Sequence, residues 1–123
     1  MKRMKAQEEA KQKGNDAFKS GDYSKAIQYY TEGIEQDPKN RNVVSTLYAN
    51  RAAAYMKAKK FQDALSDCNK AIELNDQYAK AYLRRGEIKM ELGDYDGATI
   101  DFQQANQLDP SLGAHKRIRD ANK

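Results

Sequence analysis

Gly21-Asp22-Tyr23-Ser24-Lys25-Ala26 recurs as Lys59-Lys60-Phe61-Gln62-Asp63-Ala64 and again as Gly93-Asp94-Tyr95-Asp96-Gly97-Ala98, each time with an aromatic residue three places before an alanine. Ala64 and Ala98 stand 34 residues apart, and Ala26 and Ala64 stand 38 apart. A period in this range means stacked units that bury their apolar faces against one another. The four surplus residues between the first two copies fall in Asn40 to Ser45, which predicts a longer connection there.

Each unit reads as a pair of helices, because apolar residues recur at helical spacing and Gly or Pro punctuates at matching places. In the first unit, helix A is predicted from about Gln7 to Lys19, with Gly21 as its stop. Asp22 then caps helix B, which runs to about Gln36 and is ended by Pro38. The units span about 7–40, 45–78 and 79–112. Pro110 repeats the place of Pro38, and Asn75-Asp76 turns without proline in the second unit. Residues 113–123 are predicted to add a capping helix.

Composition agrees with an all-α chain. Among 123 residues alanine occurs 17 times, against 11 for Val, Ile and Thr together, which favours helices over sheets. The length suits one domain. The single cysteine, Cys68, excludes an internal disulfide and a cysteine cage for a metal. The longest apolar run, Ala52 to Met56, is far below the roughly 20 residues of a membrane span. A soluble, cytoplasmic protein in a reducing compartment is expected, monomeric by default. The net charge of +4 favours acidic partners. Interleaved Glu32, Glu35, Asp63 and Asp67 argue against nucleic acid.

Small residues at Gly14, Ala26, Gly33, Ala52, Ala64, Ala71, Gly86, Ala98 and Ala105 recur in register with large ones at Tyr30, Tyr48, Tyr55, Phe61, Tyr82, Tyr95 and Phe102. Small positions let helices approach, and the rings fill what remains. This pattern resembles the tetratricopeptide repeat from Gln7 to Leu112, without its tryptophan and with Ala10 where the family usually has a large residue. The resemblance implies three helix-turn-helix repeats wound into a right-handed superhelical solenoid. Tyr30, Tyr55, Tyr82 and Phe102 are read as core. Cys68, in register with Tyr30 and Phe102, is read as a buried, inert thiol.

Nothing in the chain reads as catalytic. His115 is the only histidine and lies in the charged tail, and the seven glycines stand singly, without a phosphate-binding loop. No cofactor or metal is implied. What remains is a surface. Lys11 and Asn15 are i and i+4 on the first A helix, Asn50 lies on the second, and Lys80 and Arg84 are i and i+4 on the third. All five donate hydrogen bonds and three carry fixed positive charge, which together describe a carboxylate receptor. A single exposed lysine on a helix is ordinarily just solvated. These five, however, resemble residue by residue the two-carboxylate clamp of tetratricopeptide co-chaperones, within Lys11-Gln12-Lys13-Gly14-Asn15, Leu47-Tyr48-Ala49-Asn50-Arg51 and Lys80-Ala81-Tyr82-Leu83-Arg84.

By that resemblance Lys11, Asn15 and Asn50 hold a ligand's terminal carboxylate, while Lys80 and Arg84 serve its last acidic side chain and neighbouring backbone. The implied ligand is the Glu-Glu-Val-Asp terminus of cytosolic heat-shock chaperones of the seventy- and ninety-kilodalton classes. Phe18 and Lys57 face the same groove by helical arithmetic and are placed for residues upstream of that terminus. Phe18 reads equally as core. Arg51 and Arg85 rotate about 100° away and are expected to pair with acidic neighbours at the surface. Among clamp co-chaperones the chain most resembles the repeats of the J-domain type, through Gly14-Asn15-Asp16-Ala17-Phe18-Lys19 and Ala79-Lys80-Ala81-Tyr82-Leu83-Arg84-Arg85. It contains no His-Pro-Asp tripeptide. A scaffold for internal peptide segments is the alternative function.

Overall fold

The computed structural model describes residues 2–114. Six helices follow one another: α1 (Lys2–Lys19), α2 (Tyr23–Gln36), α3 (Arg41–Lys57), α4 (Phe61–Leu74), α5 (Ala79–Glu91) and α6 (Tyr95–Leu108), with a short 3-10 turn at Pro110–Leu112. The predicted capping helix beyond Ala114, and His115 with it, lies outside the described residues. α1 packs on α2, α3 on α4 and α5 on α6. Each pair also packs on the next, so that α1, α3 and α5 stand side by side.

Turn chemistry sets the pairing. Gly21 and Gly93 close their A helices at φ 85° and 83°, a conformation open to glycine because it has no Cβ. The next residues, Asp22 and Asp94, cap α2 and α6 by accepting from the backbone N–H of Lys25 and Gly97 at 3.1 and 3.0 Å. Asn75 makes the turn without proline, its side chain accepting from the Gln77 N–H at 3.1 Å.

Two boundaries differ from the sequence reading. α1 begins at Lys2 instead of about Gln7. The four surplus residues do not lengthen a loop. α3 has 17 residues against 13 in α5, so the surplus adds about one helical turn at its start, Arg41 onward.

The core is a line of small-to-large contacts. A Cβ on Gly14 would lie 2.5 Å from Tyr30 Cε1, and one on Gly86 would lie 2.5 Å from Phe102 Cε1. Both rings therefore press against an A helix at a point where it has no side chain. Gly33 does the same between repeats, facing the Leu47 methyls and Ala10, which explains why a small residue suffices at position 10. Tyr30, Leu47, Cys68, Ile88 and Phe102 are the large buried side chains. Gln7, fully buried, donates to the carbonyls of Gly33 and Asp37 at 3.0 Å each and accepts from Asn40 at 3.1 Å. It supplies partners at the C-terminal end of α2, where helix geometry leaves carbonyls unpaired.

A donor-lined groove across three A helices

A groove of about 220 Å³ crosses the A helices, lined by Gln12, Asn15, Phe18 and Lys19 of α1, Tyr30 of α2, Asn50 and Ala53 of α3, and Arg84 of α5. Of the residues expected to form a site, Asn15, Asn50, Arg84 and Phe18 thus meet in one place. Phe18 does both things foreseen for it: half-buried, it packs edge-on against Tyr23 at 5.4 Å while facing the groove. Lys11 stands one turn before Asn15 and is held by Glu8 at 3.2 Å in a solvated pair. Lys80, one turn before Arg84, is exposed. Lys57 does not line this groove. It borders a separate depression with Met56, Lys59, Phe61 and Glu91.

The polar groups of the groove are arranged to donate. Tyr30 Oη donates to Asn15 Oδ1 at 2.6 Å, and Asn50 Nδ2 approaches the same oxygen at 3.4 Å. With its oxygen engaged, Asn15 presents its NH2 to the groove. Burial pushes the Tyr30 hydroxyl up to about 12, against the opposing charge of Arg84, so it stays a donor. Arg84 Nε is the buried side-chain polar atom without a partner among the described residues. A buried guanidinium N–H left unmatched is costly, and it belongs to a residue that lines the groove. No group of three or more His, Cys, Asp or Glu suited to a metal ion lies together among the described residues.

Tyr30 is the residue the sequence reading took only as core. Its second role had a signal: it packs over Gly14, which places its hydroxyl beside the next residue, Asn15. The groove also follows register. Gln12, Asn50 and Arg84 are equivalent positions, spaced 38 and 34 residues, and all three line it.

The family described as "Serine/threonine-protein kinase BSK1-like, TPR repeats" matches residues 1–85, and "Tetratricopeptide repeat" matches residues 79–112. The chain belongs to the tetratricopeptide-repeat family. RNA polymerase II-associated protein 3 of Xenopus tropicalis is 46% identical over 92% of this chain and 17% of its own length. DnaJ homolog subfamily C member 7 homolog of Dictyostelium discoideum is 37% identical over 95% of this chain and 22% of its own. The chain therefore spans about a fifth of the length of these curated relatives. Two solved structures superpose closely. The first TPR of Spaghetti (RPAP3), bound to the HSP90 peptide SRMEEVD, has a TM-score of 0.88 and 39% identity, over 96% of this chain and 91% of that one. The second TPR domain of human RPAP3, in complex with the HSP70 peptide SGPTIEEVD, has a TM-score of 0.87 and 37% identity over 98% of both chains.

Within this tetratricopeptide frame, the residue after Asn50 on α3 and after Arg84 on α5 is an arginine that ties the stack together. Arg51 Nε and Nη2 donate to the two carboxylate oxygens of Asp67 at 2.7 and 2.8 Å, and its Nη1 reaches Thr31 of the preceding repeat at 2.9 Å. Arg85 repeats the arrangement with Asp101 at 2.9 and 2.8 Å and Asn69 at 3.1 Å. Lys89 adds a second cation to Asp101 at 3.1 Å. These are not the surface pairs that the sequence suggested. Asp67 and Asp101 are 5% and 1% exposed, because the i+16 spacing brings each carboxylate from helix B into the seam between helices. Asp67 thus drops out of the acidic surface on which it was counted, whereas Glu32, Glu35 and Asp63 are exposed. Tyr55 and Tyr82, expected in the core, are half-buried instead. They lie under the Arg51 and Arg85 guanidiniums at 5.7 and 5.5 Å.

Cys68 is fully buried, and burial pushes its thiol up to about 12. Such a thiol is protonated and unreactive at neutral pH.

Proposed function

We propose that this domain is a peptide-binding adaptor of the co-chaperone kind, which grips the free terminal carboxylate of an acidic chain end. In this reading Asn15, Asn50 and Lys11 hold that carboxylate, Lys11 leaving its solvated pair with Glu8 at little cost. Arg84 and Lys80 take the last acidic side chain and nearby backbone. Phe18 and Lys57 serve residues further upstream. The observation that carries the reading is the orphaned, buried Arg84 Nε in the same groove as Asn15 and Asn50, whose oxygen and amide are already committed to an inward network. A groove in which the Asn15 oxygen is engaged, so that its NH2 is turned outward beside the Arg84 guanidinium, suits an anion.

The ligand class follows from the peptides held by the two superposed domains, SRMEEVD and SGPTIEEVD, which share a terminal Glu-Glu-Val-Asp. The partners proposed for this chain are accordingly the C-terminal tails of cytosolic seventy- and ninety-kilodalton heat-shock chaperones, bound by a monomer without cofactor. No helix among the described residues is long and apolar enough to cross a membrane, and a cytosolic site of action suits these ligands. Several charge-assisted bonds, each contributing about 1.5–3 kcal/mol before ordering costs, support roughly micromolar affinity.

Calorimetric titration with a peptide ending in Glu-Glu-Val-Asp tests this directly. Amidating the peptide terminus, or Lys80→Ala, is expected to weaken binding at least tenfold, about 1.4 kcal/mol. Equal affinity for free and amidated peptides would replace the clamp with a scaffold for internal segments.

A further inference from the structure

The turn between α3 and α4 breaks two rules that the other intra-repeat turns obey. Where repeats one and three have Gly21 and Gly93 at positive φ, repeat two has Lys59 at φ 64°. Where they have the capping residues Asp22 and Asp94, it has Lys60, whose side chain makes no capping bond. A left-handed backbone disfavours any residue with a Cβ. A cation at a helix N-terminus opposes the helix dipole. The chain's own two other repeats show which residues fold better at these places. A local choice that contradicts the fold it sits in marks a functional constraint.

The surroundings indicate which constraint. Lys57, Lys59 and Lys60 are all exposed, and none is ion-paired with a described residue. Lys57 and Lys59 line an open depression of about 360 Å³ with Met56, Phe61 and Glu91, and Lys60 follows Lys59 in the turn. Asp63, in the first turn of α4, and Glu91 are the carboxylates close by, so the edge carries three lysines against two acids. It also lies further along the helix that carries Asn50. Lys57 follows Asn50 by seven residues, two turns, on the same face of α3 and about 10 Å along its axis.

We propose that the Lys57–Lys59–Lys60 edge is a second docking surface for the same peptide, holding an acidic stretch upstream of the terminus. This rests on the clamp reading, since the groove sets where the peptide ends. About 10 Å is three to four residues of extended chain, so Lys57 lies opposite the first Glu of the terminal Glu-Glu-Val-Asp or the residue before it, and Lys59 and Lys60, past the end of α3, lie opposite positions further upstream. In SRMEEVD and SGPTIEEVD those positions carry no carboxylate. The surface therefore selects, among tails sharing that terminus, the ones whose acidic run continues further upstream.

The test uses three peptides: one of five residues ending in Glu-Glu-Val-Asp, the same extended upstream by three aspartates, and the same extended by three asparagines. The protein should bind the aspartate-extended peptide about three- to tenfold more tightly than the asparagine-extended one at 50 mM salt, with the advantage largely lost at 500 mM. A double variant, Lys59→Gly with Lys60→Ser, supplies the permissive glycine and an uncharged cap. It should melt roughly 5 °C higher, bind the short peptide as before, and lose the aspartate advantage. A protein that binds both extended peptides equally, or a variant that keeps the preference, overturns the proposal while leaving the clamp intact. A short peptide that fails to bind, or that binds equally when amidated, removes the clamp and this proposal together. Tight binding of an acidic peptide without a free terminus would assign the edge to a separate partner and refute the shared-ligand form.

Discussion

Replacing Tyr30 with phenylalanine isolates one hydrogen bond on which the groove's polarity rests. The ring stays, since Phe102 fills the equivalent place over Gly86 without a hydroxyl, and only the 2.6 Å donation to Asn15 Oδ1 is lost. For stability, a part-buried neutral hydrogen bond is worth about 1 kcal/mol, which for a domain of this size lowers the melting temperature by about 3–6 °C. For binding, the Asn15 amide is no longer held with its NH2 toward the ligand. Letting it choose between two orientations costs RT ln 2, about 0.4 kcal/mol. A weakened charge-assisted bond brings the total to roughly 0.5–1.5 kcal/mol, a two- to tenfold loss of affinity. The assay is calorimetry with free-acid and amidated peptides alongside thermal unfolding. Simple destabilisation would weaken both peptides alike, whereas loss of an oriented donor narrows the ratio between them. A Tyr30→Phe protein with lowered stability but an unchanged acid-to-amide ratio would refute the idea that this hydroxyl aims Asn15 at a carboxylate.

Gly14→Ala places a methyl 2.5 Å from the Tyr30 ring, and Gly86→Ala does so against Phe102. Each should cost about 1–3 kcal/mol in urea unfolding, but only Gly14→Ala, which displaces the hydroxyl, should also weaken peptide binding in the folded protein. Arg51→Met strands the Asp67 carboxylate in the helix seam and is expected to cost about 3–5 kcal/mol, while the double change with Asp67→Leu recovers most of that loss; a double variant as unstable as the single would show that the pair's geometry, not its unpaired charge, matters. Burial raises Cys68 from 9.0 and Tyr30 from 10.0, each to about 12. Between these limits the folded state holds protons that the unfolded chain releases, so stability is complete below pH 9 and falls as pH rises toward 12. Urea midpoints across this range check the sign, and Tyr30→Phe should reduce the slope. Native Cys68 should resist thiol reagents at pH 8 and react once the chain is unfolded.

The repeat frame was legible because the same turn and packing residues return at a fixed spacing, so three weak local signals reinforce one another. Asp22 and Pro38 were readable for the same reason. Other features were not, because the missing information is three-dimensional. The surplus at Asn40 to Ser45 is equally compatible with a loop or a helical turn, and only its continuity with α3 decides. Buried Gln7 looks like any solvent-facing glutamine, since the carbonyls it meets lie 26 and 30 residues away. Asp67 read as a surface acid because burial of a carboxylate is set by an arginine 16 residues earlier. In the groove, Asn15, Asn50 and Arg84 were singled out by helical spacing and donor chemistry together with their resemblance to the clamp of tetratricopeptide co-chaperones. The role of Tyr30 was hidden by its fitness for the core.

The register also explains how one repeat unit yields both a rigid stack and a polar groove. Adjacent positions on an A helix differ by about 100°, so Asn50 and Arg84 face the groove while Arg51 and Arg85 turn into the seam with the B helices. The seam arginines make fork-shaped bonds to nearly buried carboxylates and reach back to Thr31 and Asn69 of the preceding repeat, fixing each A helix in rotation and each repeat against the last. Repeat one has Lys13 and Tyr29 at the equivalent places, and its groove residue Asn15 is aimed by Tyr30 from within the repeat instead. A rotation of α3 or α5 by even a fraction of a residue step would turn Asn50 or Arg84 out of line. In the proposed clamp the seam pairs hold the α3 and α5 donors in place before an anion binds, and that preorganisation is the part of the affinity that contact between ligand and groove alone does not supply.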